Sequence, residues 1–234
     1  MSNIFHEALY RPLFNLLIGI YNSIPGQDLA IAIILLTLIV KIVLSPLSVK
    51  MFKSQKAMSA IQPKIKELQE KHKGDKQAFA QAQMGLFKEH NVNPLGGCLP
   101  ILIQLPVIWV LYKVFMNGLK DGSLDALYSF IHNPGTINTV GFGFLDLAHA
   151  NPVLAIATGV AQAIQSWISI KLQKTQGSKP DDNPALKMTQ NMMYFFPIMI
   201  VFISWSLPAG LVLYWLTSTL WSILEQTYIK RRHA

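Results

Sequence analysis

A single lysine, Lys41, stands near the middle of the run 29–49, LAIAIILLTLIVKIVLSPLSV, and no other residue of that run is charged. About 20 apolar residues, each rising about 1.5 Å, cross a hydrocarbon core of about 30 Å, so the run reads as a spanning helix. A lysine at such a depth costs about 2.5–3.5 kcal/mol on insertion scales. Two arrangements relieve that cost. The ammonium can snorkel along its own stem to the interface, or it can face a water-filled cavity inside the membrane. Eight residues separate Lys41 from Val49, about 12 Å of helix and roughly twice the reach of the stem. The balance favours the cavity.

The bulk composition fits a polytopic membrane protein. Hydrophobic residues make up 51% of the 234 residues, charged residues 14%, and mean hydropathy is +0.34, which is unusual for a soluble domain. The net charge of +8 does not point to direct nucleic-acid binding, because its distribution follows the apolar runs. Cys98 is the one cysteine; it cannot form an internal disulfide and reads as a small packing residue.

Five runs are long enough to span, at about 29–49, 95–117, 152–171, 190–207 and 211–228. Leu207-Pro208-Ala209-Gly210 separates the last two and predicts a tight helical hairpin. Pro106 and Pro197 fall inside spans two and four, where membrane helices tolerate them. Of the 20 basic residues, 16 lie in 50–94, in 171–189 and in the tail after span five. The positive-inside bias therefore places the N-terminus outside and the C-terminus in the cytosol.

Residues 1–24 read as an amphipathic helix on the outer membrane surface. Glu7, Arg11, Asn15 and Asn22 form its polar stripe, and Phe5, Leu9, Leu13, Leu16, Leu17 and Ile20 lie largely opposite. A retained signal anchor is the alternative. Residues 50–92 read as a cytosolic helical hairpin, with Met51, Met58, Ile61, Ile65 and Leu68 on one arm, Phe79, Met84 and Phe87 on the other, and a break at His72-Lys73-Gly74-Asp75. Its lysines satisfy the positive-inside rule and suit anionic headgroups; a landing surface for a partner is the functional alternative. Residues 231–234 form a short basic tail.

Counting depth from the cytosolic ends, Lys41, Gln104, Gln162 and Thr219 all fall eight or nine residues up their spans, about 12–14 Å above the interface. Gln165 and Ser222 sit one turn lower. Glutamines and threonines at this depth can simply bond helices together, but that supplies no counter-ion for Lys41. Glu225, near the cytosolic end of span five, is the nearest carboxylate candidate. The pattern predicts a hydrophilic cavity reaching halfway into the membrane from the cytosol. No intramembrane Asp pair, metal-ligand spacing, Ser–His arrangement or phosphate-cradling glycine loop occurs. The expectation is of no catalytic residues, no metal and no cofactor.

Asn93-Pro94-Leu95-Gly96-Gly97-Cys98-Leu99-Pro100, followed by Leu102-Ile103-Gln104-Leu105-Pro106, and Pro208-Ala209-Gly210-Leu211-Val212-Leu213-Tyr214-Trp215 together resemble the YidC/Oxa/Alb family of membrane protein insertases. Leu44-Ser45-Pro46-Leu47, Gln62-Pro63-Lys64 and Phe144-Leu145-Asp146-Leu147 support the resemblance, which covers about 25–230. It implies a five-helix core whose cytosol-facing groove is open to lipid and receives the hydrophilic tail of a client. The family's groove cation falls on Lys41 and its groove glutamine on Gln104. Three features differ from common members. The groove cation is usually arginine, whose charge is permanent; the large extracytoplasmic domain of many members is not expected here; and with six residues after Tyr228, ribosome docking through a long basic tail is not expected either.

The sequence thus predicts an all-α membrane protein of five transmembrane helices, N-out and C-in, with an interfacial N-terminal helix and a cytosolic hairpin. It reads as a bacterial cytoplasmic-membrane insertase and chaperone for small membrane proteins. The groove residues are Lys41, Gln104, Gln162, Gln165, Thr219 and Ser222; Pro46, Asn93, Pro94, Gly96, Gly97, Pro106, Pro208 and Gly210 are structural. Expected partners are newly made membrane proteins and the bilayer, with the Sec translocon and the ribosome as further candidates. A small transporter or channel is the rival reading, but it would show paired repeats and titratable groups meeting near the midplane.

Overall fold

The computed structural model describes residues 6–90, 92, 99–117, 126–174 and 184–233. Asn93, Pro94, Gly96 and Gly97 lie outside the described residues. A short π-helical turn, His6–Tyr10, leads into α1, Arg11–Ser23. Gly26 and Gln27 adopt positive φ and reverse the chain. Asp28 then caps α2, Leu29–Lys71, accepting from the Ala30 and Ile31 amides at 2.8 and 3.1 Å.

Helix α2 is 43 residues long, about 64 Å at 1.5 Å per residue and about twice a hydrocarbon core. The sequence reading divides this segment at 49/50 into a span and a hairpin arm, and the backbone has no break there. Pro46 and Pro63 lie inside the helix without ending it. Each removes one backbone donor, a loss membrane and surface helices absorb locally. After Lys71 the chain turns at Gly74, whose φ of +98° suits glycine, and Asp75 caps α3, Lys76–Glu89. The two arms meet over Ile61, Ile65, Leu86 and Val92, with Met58, Leu68, Phe79 and Phe87 packed around them. Met84, expected on this apolar face, is 54% exposed; Leu86, seven residues from Phe79 and so two turns along the same face, fills the seam instead.

Four further helices follow: α4, Leu99–Asn117; α5, Pro152–Lys174; α6, Pro184–Ser204; and α7, Ala209–His233. Pro106 and Pro197 lie within α4 and α6. Helix α7 is the hub, packing on α2, α4 and α5, while α6 packs on α5. A glycine permits the α5–α6 approach, because a Cβ at Gly159 would collide with Val201. Leu29–Lys71 and Pro152–Lys171 are long and apolar enough to cross a bilayer; Gln104–Phe115 and Tyr194–Ser204 are shorter apolar stretches. Large apolar side chains face outward on α2 (Ile42, Val43), α5 (Val153, Val160, Trp167) and α6 (Phe195, Phe202).

The loop between α4 and α5 contains the two-stranded antiparallel pair β1, Val140–Gly141, and β2, Leu145–Asp146, in which Val140 faces Asp146 and Gly141 faces Leu145. This loop caps the bundle. Asp28, besides capping α2, accepts from the Phe142 amide at 2.6 Å. The carbonyls of Leu147 and His149 accept from Gly210 and Ala209 at the start of α7, at 2.9 and 2.8 Å.

The same loop changes the reading of the N-terminal helix. Asn15, assigned from sequence to a solvated polar stripe, is only 2% exposed. Its Nδ2 donates to the Ala126 carbonyl and its Oδ1 accepts from the Tyr128 amide. Arg11 donates to the same Ala126 carbonyl and stacks on the Tyr128 ring, 4.9 Å from its centroid. Asn22 donates to the His132 carbonyl at 2.6 Å. Arg11, Asn15 and Asn22 thus satisfy loop backbone groups, which would be costly to bury unpaired. Beside this stripe on α1, Phe14, Leu17, Ile18 and Tyr21 are buried with Leu29, Ile33 and Leu36 of α2, Val110, Leu111 and Val114 of α4, and Leu211 and Tyr214 of α7, whereas Leu16, expected on the apolar face, is exposed.

Candidate functional site

That core is confined to the capped end. On α2 its last buried apolar member is Leu36, on α4 its first is Val107, and on α7 it ends at Tyr214. Within a turn or so of each boundary the side chains facing the neighbouring helices become polar. The core is a floor, and the polar groups begin on top of it.

Two polar seams extend from this floor, both involving α7. The first lies between α7 and helices α4 and α2. Gln104 Nε2 donates to the Tyr214 hydroxyl at 2.8 Å and reaches Ser218 Oγ at 3.5 Å. One turn on from Ser218, Ser222 accepts a long hydrogen bond from Lys41 Nζ at 3.4 Å. Tyr214, Ser218 and Ser222 recur every four residues and therefore form one stripe on α7. Lys41, Ser45 and Ser48 form the facing stripe on α2, and Ser45 and Ser48 stand beside Glu225. The second seam lies between α7 and α5. Gln162, Ser166, Thr219 and Gln226 are all buried. Ser169 Oγ donates to Gln226 Oε1 at 3.3 Å, and Gln162 donates to Gln165 on its own helix at 3.0 Å.

The six groove candidates therefore do not share one cluster. Lys41, Gln104 and Ser222 meet along the first seam. Gln162 and Thr219 are buried on the second seam, with Gln165 bonded to Gln162. The depth count put them at one level by counting up from each span's cytosolic end, but depth carries no information about azimuth. It also passed over Tyr214, Ser218, Ser45 and Ser48. The four-residue spacing of Tyr214, Ser218 and Ser222 was the available signal. Of the structural candidates, Pro46 and Pro106 lie within α2 and α4. Pro208 accepts from the Leu211 and Val212 amides as α7 begins, and Gly210 sits against the Phe115 ring.

Comparison with known proteins identifies the family. Residues 20–234 match the family described as 60Kd inner membrane protein. The chain belongs to this family. A relative from Fusobacterium nucleatum subsp. nucleatum, the membrane protein insertase YidC, is 39% identical over 209 residues, covering 88% of each chain. The membrane protein insertase YidC of Geobacter sulfurreducens is 36% identical over 225 residues, covering 95% of this chain but 37% of that protein. The chain thus spans nearly all of the first relative and little more than a third of the second. Among solved structures, an active YidC insertase crystal structure with its first transmembrane domain resolved aligns with a TM-score of 0.57 and 25% identity, over 97% of this chain and 46% of that one. The expected insertase family is thereby established.

Proposed function

We propose that this insertase-family chain places small membrane proteins into the bilayer by lodging their hydrophilic tails in the seam between α2, α4 and α7. The observation that carries the reading is the abrupt change from sealed apolar core to a polar seam holding one lysine. A tail admitted there would travel part of the way across the membrane in a polar setting, leaving only the packed layer beneath the loop cap to be passed. The client's apolar segment would meanwhile slide along the outward-facing apolar side chains. Polar atoms would thus avoid most of the several-kcal/mol cost of crossing hydrocarbon unpaired.

The proposed topology has five spans in a bacterial inner membrane, with the loop cap and α1 outside and the α2–α3 hairpin in the cytosol. The lysine bias supports this orientation. Helix α1 would lie at the outer interface, its polar stripe clasped to the loop. The reading needs no bond-making chemistry, and newly made membrane proteins of one or two spans would be its clients. The Sec translocon and ribosome are candidate partners at the cytosolic face.

Reconstitution tests the proposal. Proteoliposomes containing only this chain should protect the tail of a labelled single-span client from added protease, and empty liposomes should not. Solute flux without tail protection would instead favour a transporter.

A further inference from the structure

The first seam contains a second charge that the reading above leaves unused. Glu225 lies three residues beyond Ser222 on α7, about 4.5 Å further from the core. Ser45 and Ser48 of α2 stand beside it, and it feels the Lys41 charge. Yet the two charges are not joined in an ion pair: the Lys41 ammonium donates to Ser222, while Glu225 Oε1 is buried and no donor among the described residues reaches it. Lys41, Ser45 and Ser48 advance along α2 as Ser222 and Glu225 advance along α7, so the charges are stacked in order. The cation is nearer the core and the carboxylate nearer the hairpin end.

An open carboxylate oxygen among hydroxyls, set one step outside a cation, suits a ligand whose own charges come in the opposite order. A client with an acid in its leading tail and a base behind it has that order. We propose that Glu225 is a specificity-determining residue that receives the lysine or arginine trailing a client's translocated tail, while Lys41 receives an acid ahead of it. This rests on the insertase reading. Two consequences follow from the charge order. A correctly ordered client satisfies both groups at once, whereas a client with the reverse order meets like charge at both positions. Glu225 also holds the trailing base near the hairpin end, so its attraction opposes passage of that base beyond the seam.

The test uses the full chain in proteoliposomes and two single-span clients that differ only in a trailing Lys or Gln. Glu225→Gln should lower the insertion-rate ratio of the Lys client to the Gln client by about ten-fold or more, the worth of one charge-assisted hydrogen bond. Glu225→Asp should retain most of the wild-type ratio, and Glu225→Lys should invert it, because the trailing Lys of the client then meets like charge. Comparable reconstitution and thermal unfolding of the variants separate these effects from misfolding. An unchanged ratio in Glu225→Gln, with wild-type chain inserting both clients, overturns the assignment of Glu225 alone. Wild-type chain that protects neither client overturns the insertase reading and this proposal together.

Discussion

The ring of Phe115 fills the space that a side chain at Gly210 would need, so α4 and α7 approach there with nothing between backbone and ring. The same glycine donates its amide to the Leu147 carbonyl at 2.9 Å. Backbone, ring and loop are thus fixed together at the start of the hub helix. Gly210→Ala should destabilise the protein by about 1–3 kcal/mol, the usual cost of forcing atoms into a packed core. Phe115→Leu in the same chain should recover part of that loss. Thermal unfolding in detergent checks both, and an alanine variant as stable as the wild type would remove the close approach from the account.

Asp28 serves two partners. One carboxylate oxygen caps α2 through the Ala30 and Ile31 amides, and the other takes the Phe142 amide of the loop. Asp28→Ala should cost about 1–2 kcal/mol through the lost cap alone, and it should also loosen the loop. Hydrogen exchange would be expected to quicken at Phe142 as well as at Ala30 and Ile31. Faster exchange confined to the first turn of α2 would mean that Asp28 only caps.

A pH-dependent clasp lies beside it. The His149 ring, 2.7 Å from Asp146 Oδ2, and the Ala148 amide hold the Asp146 carboxyl below the usual carboxylate range. A carboxyl depressed in the folded state contributes stability that is present above its unfolded value, about 3.9, and lost as pH falls through the lower folded value. The gap in melting temperature between wild type and Asp146→Asn should therefore be constant near neutrality and close only below about pH 4. A gap that closes between pH 5 and 7 would contradict the carboxyl as its source.

The family and the main helical segments were legible in the sequence because apolar runs and proline-containing strings act locally. The hidden part was pairwise. Asn15 reads as solvated until the Ala126 and Tyr128 backbone groups come against it, and nothing in the order of residues announces that meeting. Likewise Gln162 shares a depth with Lys41 but belongs to another seam. Rise along a helix can be counted in sequence, whereas direction around it depends on neighbours. Met84 is a different case, since Leu86 and not Met84 lies two turns from Phe79, a spacing already present in the sequence.

The orientation is open to labelling. A cysteine replacing Asn133 in the loop cap should react with an impermeant maleimide from outside intact cells, and one replacing Lys73 in the hairpin turn should not. The reverse pattern would turn the seam to face outward and remove the basis for admitting clients from the cytosol.

Lys41 provides the sharpest test of how the seam works. Its ammonium is held by a long bond to one serine, so an arriving carboxylate can take its place beside the cation without displacing a tight partner. Weak holding suits transit, because a tail bound firmly would not leave. Across an energised membrane, positive outside, each acid in the tail gains about 2.3 kcal/mol per 100 mV as it moves outward. Lys41→Arg should preserve insertion because the charge remains. Lys41→Gln should slow a client with an acidic tail more than its neutral twin, by about ten-fold for a charge-assisted contact worth about 1.5 kcal/mol. Lys41→Glu should slow the acidic client further by repulsion. Insertion rates for the two clients, measured with and without an imposed potential, decide the matter. Equal slowing of both clients by Lys41→Gln would mean that the lysine keeps the seam wet and does not recognise charge.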